Sequence, residues 1–318
     1  MRKSVQVMLI VALFSFGGSL GAVEPFRVGV LRGPTAIAFA PMIADPPTMS
    51  GRPLEIEVFP SPDVLVARII SNDLDAAAIP SNLAVQLYNR DIQLEVVATF
   101  IWGVLYVVGP AGLTAGARPA DQSLAELSGR EVYVPGRGAT PDLVFRYLLD
   151  REGTADVSVR YGFSQVEISQ LLIAGRAEFA VLPEPFVTRV LSATQDRVVV
   201  ADLQAEWREA TGQDMPQTVL VAVGTAEPRE RVALFEALGR SVGEVTGEPS
   251  VALSNVETLG LGLDTATAVS ALPRLNLRVV SGRESRSALE RYFDVLRGFD
   301  PASIGGSLPG ADFYGLVR

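Results

Sequence analysis

The sequence SGREVYVPGRGATPDLVFRYLLDREGTADVSVRYGFSQVEISQLLIAGRAEFAVLPEPFVT, from Ser128 to Thr188, decides the fold class of this chain. Strand-like runs at 131–135, 157–161 and 177–182 are each followed by a short loop and then by a helical pattern. Strands that each lead into a helix are typical of a parallel α/β layer, whose loop-bearing edge is suited to binding a small molecule. The stretch therefore predicts an α/β fold with a candidate binding edge.

The loops after these strands contain recognisable helix starts. Thr140 is a natural N-cap with Pro141 as the first helical residue, and Ser164 and Glu167 have the spacing of a capping box. Pro183, Glu184 and Pro185 end the third strand and begin another helix. Free backbone N–H groups at such ends can hold an anion or a hydrogen-bond acceptor. The alternative is that these are the ordinary caps that every α/β protein needs.

The amino-acid composition limits the reactions and the binding partners that are possible for this chain. The chain has 318 residues, enough for two domains, and a net charge of −9 without a basic patch, so nucleic acid and anionic membranes are poor partners. It contains no histidine and no cysteine, and its single lysine is Lys3. Thiol nucleophiles, Ser-His triads, His or Cys zinc sites and Schiff-base lysines are excluded, although paired carboxylates are not. We therefore expect no enzyme activity, no catalytic residue, no metal site and no cofactor.

The N-terminus resembles a secretory signal peptide. Arg2 and Lys3 form a basic start, residues 7–16 are apolar, and residues 19–22 are small enough for cleavage. The apolar run is shorter than the roughly 20 residues of a membrane span. Because no cysteine lies at the cleavage site, we expect a periplasmic protein without a lipid anchor. An uncleaved anchor helix is the alternative.

The rest of the chain predicts a division into lobes. Residues 26–31, 54–59, 76–79, 94–100 and 105–108 are strand-like, and 218–223 is a late strand that can return the chain to the first lobe. The C-terminal region is predicted to be mostly helical, with no sign of chemistry. The predicted organisation is a signal peptide at 1–22, lobe 1 at 23–102 and 218–318, and lobe 2 at 103–217. Residues 112–121 are predicted to be a surface connection.

Four segments carry a resemblance to a known family. They are DAAAIPSN at 75–82, LSGREVYVPGRGATPDLVFRYLL at 127–149, EISQLLIAGRAEFAVLPEPF at 167–186 and ADFYG at 311–315. In this order they resemble solute-binding proteins of ABC importers, in the branch with sulfonate-, nitrate- and thiamine-precursor-binding members. The resemblance implies the type II periplasmic-binding-protein fold, with two lobes, each a mostly parallel sheet flanked by helices, joined by two crossover strands. It also implies a monomer that closes on a small-molecule solute and delivers it to an ABC permease.

The resemblance also implies where the ligand binds. The candidate residues lie in loops and helix starts of both lobes: Pro34, Thr35, Ser81, Asn82, Gly138, Ala139, Thr140 and Glu184. Trp102, next to the first crossover, could stack on a flat solute or belong to the core. Ser81, Thr140 and Glu184 could instead cap helices or form turns. Arg32 and Arg137 could pair with a sulfonate or carboxylate, or remain solvated.

Two other functions remain open on the same fold. A chorismate-dehydratase-like lyase could work through Ser81, Asn82 and a carboxylate, but an exported protein would not meet its cytoplasmic substrate. A ligand-sensing module could pass the closed form to a receptor. A related pyrimidine-forming enzyme depends on His and Cys and is excluded by composition. Glu184 with Trp102 favours a nitrogen heterocycle, such as a thiamine-precursor pyrimidine, over nitrate as the solute.

Overall fold

The computed structural model describes residues 23–112, 124–154, 156–224, 226–259 and 263–315. The predicted signal peptide and most of the predicted connection at 112–121 lie outside these residues. The strands are β1 (Phe26–Leu31), β2 (Thr48–Met49), β3 (Arg52–Phe59), β4 (Ala76–Pro80), β5 (Leu94–Ile101), β6 (Leu105–Pro110), β7 (Glu131–Tyr133), β8 (Ser158–Arg160), β9 (Phe179–Pro183), β10 (Arg197–Asp202), β11 (Thr218–Val223) and β12 (Leu277–Ser281). The helices are α1 (Pro34–Ala44), α2 (Pro62–Ile70), α3 (Ser81–Tyr88), α4 (Thr140–Glu152), α5 (Gln165–Ile173), α6 (Phe186–Ala193), α7 (Leu203–Thr211), α8 (Pro228–Gly247), α9 (Pro249–Ala252), α10 (Thr265–Ala271) and α11 (Gly282–Phe299).

The strands form two sheets, which confirms the predicted two-lobed α/β fold. The first has the order β12-β5-β11-β4-β1-β3-β2 and the second the order β10-β6-β9-β7-β8. In the first sheet, β1 is parallel to β3 and β4, and in the second, β7 is parallel to β8 and β9. Strands β6 and β11, which carry the chain between the sheets, run antiparallel to their neighbours, so both sheets are mixed. We call the sheets with their flanking helices the first and second lobes.

The register of the strands makes the two lobes face each other. Thr218, where the chain re-enters the first sheet, pairs with both Pro80 and Ile101, the last residues of β4 and β5. Leu105, where the chain enters the second sheet, pairs with Pro183, the last residue of β9. Both crossings therefore join the carboxyl edges of the parallel strands, and the helix starts at those edges meet across a crevice.

Among the described residues, the core has one part in the first lobe, one in the second lobe and one that links the two lobes. Helix α1 is apolar on most sides and is buried against the sheet and α8, with the rings of Phe39 and Phe100 in an edge contact at 5.8 Å. A second cluster runs from the first sheet into the second. In it, the Trp207 ring of α7 lies 5.3 Å from Tyr292 of α11. Because α11 packs on β5 and β12, it ties the second lobe to the first.

The C-terminal region differs from the prediction in one element. The structure contains β12 at the edge of the first sheet, paired antiparallel with β5. Its five residues, LRVVS, have no regular alternation of buried and exposed positions, so the sequence carries little strand signal there. In the part of the chain that the structure describes, no helix has the length and apolarity needed to cross a membrane.

Candidate functional site

The facing edges carry helix N-termini that are not capped by side chains. Helices α1, α3 and α4 begin after Gly33, Pro80 and Ala139, none of which contributes a capping hydrogen bond. By contrast, Asp202, Asp264 and Ser281 cap α7, α10 and α11. The first N–H groups of a helix have no partner within it and carry a partial positive charge. The Ser81 N–H already donates to the Gln217 carbonyl, and Pro34 and Pro141 have no N–H, so the remaining first-turn N–H groups are the donors directed at the crevice.

Asn82 and Thr140 join the two lobes within this set. The Thr140 hydroxyl donates to Asn82 Oδ1 at 2.8 Å, and each residue is only 5% exposed. Thr140 is the first helical residue of α4 and does not cap it, so its hydroxyl is free to make this bond. Ser81 does not cap α3 either, because its hydroxyl donates to the Pro216 carbonyl. The structure thus leaves Asn82 and Thr140 at the centre of the crevice, with Ser81 beside them.

The remaining predicted loop residues frame this centre. Pro34 and Thr35 open α1 at the end of β1, the strand next to β4, and Thr35 is buried. Gly138 and Ala139 are exposed, and Gly138 has the left-handed φ of +76° that its turn requires. The Gly138 N–H donates to Asp142, so it is already engaged.

Asp142 holds the start of α4 in place. Its side chain is fully buried and accepts hydrogen bonds from Gly138 N–H at 2.7 Å, the Tyr161 hydroxyl at 2.6 Å and the Arg146 guanidinium at 2.9 Å. Burial, with the hydrogen bond to Asp142, raises the pKa of Tyr161 to about 12, so this hydroxyl remains a donor at neutral pH. The carboxylate therefore fixes the loop that presents Thr140.

Glu184 is engaged within the protein. Its carboxylate is fully buried and accepts from the Thr188 N–H and hydroxyl, both at 3.0 Å, and from the Arg274 guanidinium. It thus satisfies the start of its own helix α6, one of the roles that the sequence left open. The Tyr106 hydroxyl donates to the Arg274 carbonyl at 2.9 Å, and burial, with the charges of Asp202 and Glu184, raises the pKa of Tyr106.

Trp102 lies where the crossing segments meet. It is 5% exposed, its indole N–H donates to the Arg278 carbonyl at 2.8 Å, and the Arg278 guanidinium lies 4.4 Å from the ring centroid. Arg278 also pairs with Asp214 of the second crossing at 3.0 Å. The indole therefore has its donor and one face occupied by β12. Ligand contacts of Trp102 and Glu184 stay predictions.

Sequence reasoning missed several residues around the crevice. Arg274, Arg278 and Tyr292 all lie in the C-terminal region, where the sequence shows no sign of chemistry. Gln217, at the second crossing, accepts from the Val104 N–H of the first at 3.1 Å. No motif identified them, because each acts through a partner more than 80 positions away in sequence. Within the described residues, no group of carboxylates is arranged to hold a metal ion.

Helix α7 carries a carboxyl with a raised pKa where it meets the far end of α4. Burial, a hydrogen bond with Glu152 and nearby acidic charges raise the pKa of Glu206 on α7 to about 7. Unfolded glutamate titrates near pH 4.3. Glu206 therefore contributes fully to the stability of the folded state below about pH 4. This contribution is lost as pH rises to about 7, where the folded protein also releases the proton.

We expect the free energy of unfolding to fall as pH rises from about 4 to about 7, and Glu206→Gln to reduce this slope. Urea unfolding at several pH values measures the effect, with Glu244→Gln on the exposed face of α8 as the control. An unchanged slope in Glu206→Gln would show that this carboxyl does not carry the dependence.

Two α/β lobes whose sheet edges face each other, with uncapped helix N-termini at those edges, are typical of a two-lobed binding protein. Comparison with known proteins gives the family: a model described as menaquinone biosynthesis matches residues 35–297, so the chain belongs to that family. A search of curated proteins found no match. The resemblance to solute-binding proteins of ABC importers is confirmed by solved structures.

The first of these structures is an ABC transporter from Parabacteroides distasonis. It is 30% identical, with a TM-score of 0.81, over 93% of this chain and 100% of that one. The periplasmic aliphatic sulphonate binding protein of Escherichia coli is 11% identical, with a TM-score of 0.69, over 87% and 86% of the two chains. The alkanesulfonate-binding protein of Xanthomonas axonopodis pv. citri, bound to MOPS, is 13% identical, with a TM-score of 0.63, over 92% and 98%. The last two show similarity of fold.

Family membership corrects one prediction. The expectation that the chain is not an enzyme was wrong, because menaquinone biosynthesis is an enzymatic family. The expectation rested on the absence of histidine and cysteine. That absence removes particular nucleophiles and metal ligands, but hydroxyl, amide and carboxylate groups can still stabilise charge or move protons.

Proposed function

We propose that the crevice binds a small organic oxyanion, a carboxylate or a sulfonate, and that the protein is the solute-binding component of an ABC importer. The observation that carries the proposal is the meeting of the uncapped N-termini of α1, α3 and α4 around the Asn82–Thr140 contact. Such ends bind anions through backbone N–H groups and the helix dipole, without a cationic side chain.

The charges near the crevice support an acceptor-rich ligand. Arg146, Arg274 and Arg278 are paired with Asp142, Glu184 and Asp214. The buried carboxylates of Asp142 and Glu184 are likewise occupied, so neither offers a free acceptor to an amine or a ring N–H. Donors therefore predominate, which favours an oxyanion over the nitrogen heterocycle that the sequence suggested. The predicted contacts at Thr35, Asn82 and Thr140 fit this proposal best. Pro34 has no N–H to donate, and the N–H and hydroxyl of Ser81 already donate to the Gln217 and Pro216 carbonyls.

Binding would act by lobe closure. A ligand that contacts α1 and α3 of the first lobe and α4 of the second favours the closed state, because only that state offers all its donors at once. We propose lobe 1 at 23–102 and 218–318 and lobe 2 at 103–217, a periplasmic location after removal of 1–22, and a membrane permease as partner. The sulfonate-binding proteins with this fold support the class of ligand.

A lyase that acts on an organic oxyanion is the second candidate. Membership of the menaquinone biosynthesis family favours it, and a chorismate-dehydratase-like reaction would use the same Ser81 and Asn82. Both candidates place an anion between the same helix ends. They differ in whether the bound molecule is released unchanged.

Calorimetric titration with ethanesulfonate, MOPS, chorismate and a thiamine-precursor pyrimidine tests the proposal. We expect micromolar or tighter binding of at least one of the three anions, with a smaller radius of gyration in solution scattering on binding. Binding of the pyrimidine alone, or of none of the four, would contradict the oxyanion proposal. Mass spectrometry after incubation with chorismate decides between the candidates, because loss of water from chorismate would identify the lyase.

A further inference from the structure

Tyr292 lies next to the contact that joins the lobes. It is on α11, is fully buried, and its ring packs against Trp207 at 5.3 Å and Phe293 at 5.9 Å. Because Trp207 lies on α7, the Tyr292 ring packs α11 of the first lobe against α7 of the second lobe. The neighbour of its hydroxyl is Thr140, which donates its own proton to Asn82.

Among the residues that the structure describes, no group forms a hydrogen bond with the Tyr292 hydroxyl, the neighbouring Thr140 hydroxyl included. Burying a hydroxyl without a partner is costly, so such groups are rare and need a physical explanation. Burial raises the pKa of this phenol, and the neighbouring Thr140 hydroxyl lowers it by a smaller amount. The group therefore remains a neutral donor at physiological pH.

We infer that Tyr292 belongs to the ligand-binding site, where its hydroxyl donates a hydrogen bond to an oxygen of the organic oxyanion bound beside Asn82 and Thr140. The inference rests on the proposed function and extends the proposed binding site to helix α11. An oxyanion has several lone pairs, so it can accept from the helix N–H groups and from a phenol together. Tyr292 thereby makes α11 a fourth ligand-contacting element, along with α1, α3 and α4.

Tyr314 provides a matched control. It is also buried, and its hydroxyl also has no hydrogen-bond partner within the described part of the chain, but it is bridged to Val96, near the start of β5. Val96 pairs with Val221, well away from Thr218 at the crevice edge, so Tyr314 lies outside the proposed site. Removal of either hydroxyl deletes one unpartnered buried group, and only Tyr292 is expected to affect binding.

Titrations of Tyr292→Phe and Tyr314→Phe with ethanesulfonate and chorismate test the assignment. We expect Tyr292→Phe to weaken binding of the anion that the wild type binds by about 3- to 10-fold, at unchanged or higher thermal stability. Tyr314→Phe should bind like the wild type. With tyrosine labelled at Cζ, the resonance lost in Tyr292→Phe should shift in the wild type when the anion is added.

The outcomes separate this inference from the proposed function. Equal affinities of the wild type and Tyr292→Phe, or a Tyr292 resonance that does not move on binding, would overturn the assignment of Tyr292 alone. Failure of the wild type to bind either ethanesulfonate or chorismate would overturn both the assignment of Tyr292 and the proposal that the crevice binds an organic oxyanion.

Discussion

Replacing Asn82 with aspartate is expected to abolish oxyanion binding. Aspartate has the shape of asparagine and keeps the oxygen that accepts from Thr140. It places a negative charge in the first turn of α3, where the helix dipole offsets part of the cost of burying that charge. A ligand oxyanion about 4 Å away is repelled by about 4 kcal/mol at the effective dielectric of a protein surface, so affinity should fall by at least about 100-fold.

The same variant distinguishes the classes of ligand. An amine or heterocyclic cation would bind Asn82→Asp as well as or better than the wild type, since the new carboxylate would attract it. Asn255→Asp makes the same change at an exposed position and should affect neither binding nor stability. Calorimetry measures affinity, and thermal unfolding measures stability. Undiminished binding of ethanesulfonate or chorismate by Asn82→Asp would refute an oxyanion site at α3.

Replacing Arg274 with alanine is expected to destabilise the protein by about 3 kcal/mol, because it leaves the fully buried Glu184 carboxylate without its cation. The estimate is at the lower end of the usual range, since the Arg274 side chain is 31% exposed and the pair is partly screened. The change also removes a donor to the Thr188 hydroxyl, 2.6 Å from the guanidinium. Urea unfolding gives the loss directly.

A double-mutant cycle shows whether the pair itself is responsible. Glu184→Gln should cost less than Arg274→Ala, since the unpaired guanidinium can turn towards solvent. Adding Glu184→Gln to Arg274→Ala should recover part of the stability, because no buried charge then remains unpaired. Arg240→Ala, an exposed change on α8, serves as the control. Additive losses in the double variant would mean that Arg274 and Glu184 stabilise the protein independently.

Composition was a poor guide to chemistry in this chain. The absence of histidine and cysteine correctly removes the reactions that need a thiolate, an imidazole or their zinc complexes. It does not remove reactions that need only oriented dipoles, and the chain belongs to a family named for a biosynthetic pathway. Helix ends and amides provide such dipoles through backbone geometry, which residue counts do not record.

The sequence by itself determined the fold class and most of the strands and helices, but not β12. Runs such as 26–31 and 218–223 agree with β1 and β11 because alternation, prolines and small-residue turns act over a few neighbouring positions. Only the tertiary structure decided what the loops at the crevice do. Ser81 and Thr140 could each cap a helix by their sequence, and the approach of the second lobe makes Thr140 a partner of Asn82 instead. The pairing of Glu184 with Arg274, 90 positions away, and the placing of Tyr292 beside Thr140 likewise depend on long-range packing, which no local pattern encodes.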